Sequence, residues 1–135
     1  MAVDYGTKRI GIAFSDPLRI FAKAHSVLEN CPFEELLPQI QELATSNKAS
    51  LIVVGMPYAI DGSHTPKTIE TETFLNKLQE SLDIQVISYD ERYSSAEAET
   101  ELKRMGKSWQ EARKLVDAMA AAMILKSYLE NMENK

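Results

Sequence analysis

Cysteine is almost missing from this chain. Cys31 is the single one in 135 residues, which excludes an internal disulfide framework and fits a reducing cytoplasm. Beside Pro32 it reads as a packing residue rather than a nucleophile. No apolar run approaches the roughly 20 residues of a membrane span, and the N-terminus lacks the profile of a signal peptide. Repeats, low-complexity tracts and linkers are absent as well, so residues 1–135 are expected to form one domain with its own core. Positive charge is in deficit: 15 Lys and Arg against 20 Asp and Glu leave a net charge of −5. That argues against non-specific nucleic-acid binding over the whole surface, which depends on phosphate neutralisation. It leaves room for a local basic rim around an acidic site. The remaining composition, 44% hydrophobic and 26% charged, is that of an ordinary globular protein.

What is present is an ordered series of strand and helix signals. "AVDYG" and "RIGIAFSD" read as two short strands joined by a glycine-containing turn, with "IFAKAHSVLE" as a third extended segment. Leu36, Leu37, Ile40 and Leu43 recur at helical spacing, with Pro38 near the first turn or at a kink. "LIVVGMP" is a continuous apolar run ended by glycine and proline, as in a strand buried on both faces. After the loop "YAIDGSHT", Thr65 and Pro66 form an N-cap and first helical residue for a helix through about Gln79. "DIQVISYDE" is the next strand, "SSAEAETELKRM" a helix ending at Gly106, and a long helix runs from about Trp109 to Glu130. A three-stranded meander feeding βαβ crossovers predicts an α/β fold, a mixed sheet flanked by helices.

The long helix holds an oddity. Asp117 lies among Leu115, Val116, Ala118 and Met119, and shares its face with Ala121, Ile124 and Tyr128, opposite Lys126. A carboxylate facing the protein needs a cation or hydrogen bonds. Asp4 is expected at the end of the first strand, and Asp90 and Glu91 at the end of the last. Open α/β sheets build sites at such strand ends. Two carboxylates 4 Å apart repel by about 1 kcal/mol in bulk water and several times more near a protein surface. Three together call for a divalent cation, protons or basic partners, and oxygen-only ligands favour Mg²⁺ or Mn²⁺ over zinc. The alternatives are local: Asp4 capping the turn at Gly6, Asp90 pairing with Arg92, and Arg113 pairing with Asp117 one turn away.

"DYGTKRIGIAFSD", "VVGMPYAIDGSHTP", "DERYSSAEAE" and "VDAMAAAMIL" together resemble the signature segments of the YqgF/RuvX family, in order and over nearly the whole chain. The resemblance implies an RNase H-like fold with a five-stranded sheet, related to the RuvC Holliday-junction resolvases. It further implies a nuclease that processes the 5′ end of the 16S rRNA precursor, with resolvase activity on structured DNA as an older proposal. The family's acidic triad falls on Asp4, Glu91 and Asp117, which become the expected catalytic residues and ligands of Mg²⁺ or Mn²⁺. Family members usually carry several more residues before the first aspartate, and serines stand in "DERYSS" where threonines are common.

Lys8 and Arg9 follow the first acidic residue and Arg92 follows Glu91; with Arg113 they are the candidate phosphate-binding residues, or else they balance local acid. Lys103, Arg104, Lys107, Arg113 and Lys114 with Trp109 form either a basic groove for RNA, where aromatics stack bases, or a solvated corner. The "DGSHTP" loop precedes a helix N-terminus, a natural phosphate site, and His64 within it reads as a leaving-group acid or a merely exposed side chain. Actin-like phosphotransferases also open with D-x-G but need two such domains. A non-catalytic RNA-binding module of the same fold has no reason to keep three carboxylates. The expectation is a cytoplasmic, metal-dependent nuclease, monomer or homodimer, with no membrane association.

Overall fold

In the computed structural model the described residues are 1–93 and 109–133, with side chains described for 1–92 and 116–132. Strands β1 (Ala2–Tyr5), β2 (Arg9–Ser15) and β3 (Ala22–Glu29) form the expected meander. Helix α1 (Phe33–Ser46) leads to β4 (Leu51–Met56), and α2 (Pro66–Ser81) to β5 (Gln85–Asp90). A single 3₁₀ turn, Glu91–Tyr93, follows β5, and α3 (Trp109–Glu133) closes the described chain. The helix expected over 94–105 lies outside the described residues.

The sheet runs β3-β2-β1-β4-β5. β1, β4 and β5 are parallel, whereas β1–β2 and β2–β3 are antiparallel. Alternation along the strands divides the side chains between two faces. Val3, Ile10, Ile12, Ile52 and Val54 pack with Leu36 and Ile40 of α1 and with Phe74 and Leu78 of α2. The opposite face is built from small residues: Ala2 and Ala13 meet Ala121, Ala122, Leu125 and Leu129 of α3. This asymmetry has a steric reason. A Cβ on Gly11 would lie 1.8 Å from the Asp117 carbonyl oxygen, so α3 rests on bare β2 backbone at that point.

Several boundaries differ from expectation. Ile20 and Phe21 are outside β3 and exposed, because the Asp16 carboxylate accepts hydrogen bonds from both of their N–H groups, at 2.7 and 3.0 Å. That Asx-type turn, with Arg19 at φ 58°, takes the backbone groups a strand would need. Pro38 sits inside α1 beyond its first turn; it is exposed, so water can serve the carbonyl left without a donor. Helix α2 starts as the sequence predicts: Thr65 caps it, with Thr65 and Thr68 exchanging capping-box hydrogen bonds. Thr68 Oγ1 also donates to the Pro57 carbonyl at 2.6 Å, tying the helix start to the loop after β4. Among the described residues no helix is long and apolar enough to cross a membrane.

Candidate active site

The parallel strands β1, β4 and β5 end along one edge of the sheet, and the acidic residues collect there. Asp4 alternates with the buried Val3 and so shares the α3 face with Ala2. Its partner across the β1–β2 ladder is Gly11, the residue on which the Asp117 backbone rests. On the other side, β1 pairs with β4 as Ala2↔Val53 and Val3↔Val54, a register that carries Asp4 alongside Gly55. A Cβ at Gly55 would lie 2.7 Å from Glu91 Oε1 and 2.5 Å from Ile124 Cδ1. The two glycines therefore clear the space in which Glu91 and the α3 backbone approach Asp4.

Asp4 and Glu91 are hydrogen-bonded side chain to side chain. Burial pushes both carboxyls above their ordinary range, and Glu91, with the Asp4 charge beside it, is raised to about 8. The pair thus shares a proton near neutrality. The Asp117 charge raises Asp4 a little further, and the Lys67 ammonium draws both members of the pair down. Asp117 is half-buried, and its Oδ2 accepts from Arg9 Nε at 2.9 Å. The Arg113 pairing weighed for Asp117 involves a side chain outside the described ones; the partner observed is Arg9, 108 residues away in sequence.

Could these residues hold a divalent cation? Two buried carboxyls that keep a proton because of burial and mutual repulsion are the donor chemistry such an ion relieves. As arranged, no three carboxylate, histidine or cysteine side chains among the described residues form a ligand cluster. Asp117 is drawn to Arg9 instead. The donor set suits Mg²⁺ or Mn²⁺ through Asp4 and Glu91, with Asp117 beside them.

A cleft of about 470 Å³ opens next to the acidic pair, lined by Gly6, Thr7, Lys8 and Arg9 on the hairpin and by Pro66, Lys67 and Glu70 on α2, with Asp117. Lys8 and Arg9 thus stand on the hairpin side of the cleft and Lys67 on the α2 side. Arg92 is placed differently. Its guanidinium grips Asp90, Nη2 to Oδ2 at 2.6 Å and Nε to Oδ2 at 2.9 Å, and donates to the Ile60 carbonyl at 3.2 Å. That ties the end of β5 to the loop after β4, which is the local alternative noted from sequence. His64 is exposed, with Nδ1 3.7 Å from Glu72 Oε2 and its ring against Tyr58. Arg113, Lys114 and Trp109 have side chains outside the described ones, and Lys103, Arg104 and Lys107 lie outside the described residues. Lys67 was missed by sequence reasoning. The signal was there, since it follows the Thr65 cap and Pro66, at the helix start singled out as a phosphate site.

The sequence profile of the RuvX family, described as "Holliday junction resolvase", matches residues 1–131. The chain is 42% identical over 130 residues to a protein of Syntrophomonas wolfei named "Putative pre-16S rRNA nuclease", covering 96% of this chain and 92% of that one. A protein of Halothermothrix orenii with the same name is 40% identical over 135 residues, covering 100% and 96%. Among solved structures, Thermus thermophilus RuvC superposes with a TM-score of 0.57 at 11% identity, covering 96% of this chain and 94% of that one. The Fowlpox virus resolvase, solved with substrate Holliday junction DNA, gives 0.57 at 12% identity, covering 96% and 95%. At such identities the likeness speaks for the fold, which is RNase H-like.

Proposed function

This chain belongs to the RuvX family, and from that premise we propose that it is a divalent-metal-dependent nuclease that hydrolyses phosphodiester bonds. Its substrate on this reading is the 16S rRNA precursor, trimmed at the 5′ end in the cytoplasm during ribosome biogenesis, by one domain acting as monomer or homodimer. The observation that carries the reading is the hydrogen-bonded Asp4–Glu91 pair, raised by burial and flanked by Asp117. The names of the relatives support RNA as substrate.

Asp4, Glu91 and Asp117 would hold Mg²⁺ or Mn²⁺, and the Asp4–Glu91 pair would have to be deprotonated to act as ligands. The ion, when bound, supplies Lewis-acid stabilisation of the phosphate oxygens and a water acidified for attack. Arg9 has a second task. Only its Nε meets Asp117, so the rest of the guanidinium can take a phosphate oxygen in the cleft, beside Lys8. Arg113, on the turn of α3 before Asp117, is a further phosphate contact in this proposal. Arg92 braces the backbone next to Glu91 through Asp90.

The test is incubation with Mn²⁺ of three end-labelled probes side by side: single-stranded RNA, duplex DNA and a four-way DNA junction. Cleavage of RNA that falls at least about 100-fold in Asp4→Asn and Glu91→Gln is expected, the scale on which loss of a metal ligand registers. Preferential cutting of the junction would favour the resolvase alternative, which the family description and the likeness to junction-bound resolvases support. Binding of RNA without cleavage of any probe would favour the non-catalytic module.

A further inference from the structure

We propose that Lys67 is a phosphate-contacting residue of this site, gripping the backbone of the nucleic acid from the wall of the cleft opposite Arg9. The proposal rests on the nuclease reading of the site and adds a residue to it. Lys67 lies on the first turn of α2 and lines the cleft together with Pro66 and Glu70, across from Lys8 and Arg9. Its root is fixed. Pro66 and the Thr65 cap set the helix start, and the Lys67 carbonyl accepts from Thr71 Oγ1 at 2.8 Å. Only the four-carbon side chain is left to move, and it is exposed.

Among the described residues Lys67 closes no ion pair. Glu70 is three residues on, at a spacing where a pair could form, yet the ammonium is not taken by it. The charge acts on the acidic pair instead, drawing both Asp4 and Glu91 down against burial. Arg9 is held by Asp117 through its Nε, whereas Lys67, like Lys8 on the hairpin, meets a phosphodiester with no ion pair to break among the described residues. An ammonium is suited to the task as a compact point charge that needs no bidentate geometry.

Two effects of opposite sign follow. A fixed positive charge beside the carboxyl pair opposes a divalent cation, and the same charge favours an anionic backbone. Lys67→Met should therefore bind Mn²⁺ several-fold more tightly. It should bind nucleic acid more weakly, with the slope of log affinity against log salt shallower by about 0.7 for a single strand and 0.9 for a duplex. A lysine that only offsets the carboxylates would change the metal affinity and leave the salt slope alone.

The experiment uses the full chain: Mn²⁺ titration calorimetry without substrate, and binding of labelled single-stranded RNA and duplex DNA in EDTA over a range of salt. Wild type, Lys67→Met, Lys67→Gln and Lys67→Arg are compared, each with its melting temperature. We expect Met and Gln to show both effects at unchanged melting temperature, and Arg to restore the salt slope. An unchanged salt slope in Met and Gln overturns the proposal, whether or not Mn²⁺ affinity moves. Wild type that binds RNA with Lys67-dependent slope but cuts nothing in Mn²⁺ overturns the nuclease reading and leaves Lys67 as a backbone contact. Wild type that neither binds nor cuts overturns both.

Discussion

Asp117 shows how a partner decides the meaning of a buried charge. Had its counter-ion been a buried guanidinium, removing the carboxylate would cost about 3–5 kcal/mol. The observed partner, Arg9, has a side chain 61% exposed, against 26% for Asp117, and an exposed pair contributes about 0–1 kcal/mol. Asp117→Asn should therefore lie within about 1 kcal/mol of wild type in urea denaturation with EDTA. Loss of the charge that raises Asp4 offsets part of even that cost. Nuclease activity should nevertheless collapse, and a mutant that is both stable and active would remove Asp117 from the mechanism. The Asp4–Glu91 pair makes a second residue-scale prediction. Both carboxyls bind a proton more readily folded than unfolded, so their stabilisation is complete below the unfolded values and is lost as pH rises, for Glu91 from 4.5 to about 8. Metal-free protein should weaken steadily across that window in thermal melts. Glu91→Gln should flatten the profile, and an unchanged profile in that variant would mean that the pair does not share its proton.

At the scale of elements, the approach of α3 to the sheet depends on what β2 and β4 omit. At Gly11 an added methyl would meet backbone, 1.8 Å from the Asp117 carbonyl oxygen and 2.9 Å from the Ala118 nitrogen. Backbone cannot rotate aside, so α3 would have to lift from the sheet. Overpacking typically costs 1–3 kcal/mol, and Gly11→Ala should fall at or above about 3 kcal/mol in chemical denaturation. Gly55→Ala differs in kind, because its methyl would meet side chains, Ile124 Cδ1 and the carboxyl end of Glu91. Those can shift, so its stability loss should be smaller while Glu91 is displaced and activity falls. Equal stability losses in the two variants would show that α3 does not rest on Gly11 as described.

For the molecule as a whole, an overall charge of −5 is reconciled with a nucleic-acid substrate by placement. Lys8, Arg9 and Lys67 line the cleft beside the carboxyl pair and outnumber Glu70 and Asp117 there, while further acid lies elsewhere, including Glu34 and Glu35 on the first turn of α1. Divalent cation at the acidic edge should stabilise the folded chain as any ligand of the native state does, by about 2.7 kcal/mol at a hundredfold excess over Kd. Mn²⁺ is therefore expected to raise the melting temperature of wild type and to do so less in Asp4→Asn and Asp117→Asn. Equal rises in all three would place the ion elsewhere.

Most of the element order was written in local pattern, because alternation, helical spacing and caps are properties of neighbouring residues. "LIVVGM" reads as a strand covered on both faces and Thr65–Pro66 as a helix start, and both form as read. The resemblance of the four signature segments made Asp4, Glu91 and Asp117 the expected acidic residues before any packing was known. Where local signals competed, sequence reasoning failed: Ile20 and Phe21 are of the β-branched and aromatic types that favour strands, yet Asp16 claims their N–H groups. The tertiary structure alone decided who meets whom. Arg9 reaches Asp117 across 108 positions, Lys67 comes to the cleft from another helix, and Gly11 and Gly55 acquire their purpose only once α3 lies over the sheet. Such pairings are set by chain crossing and packing depth, which no local periodicity encodes.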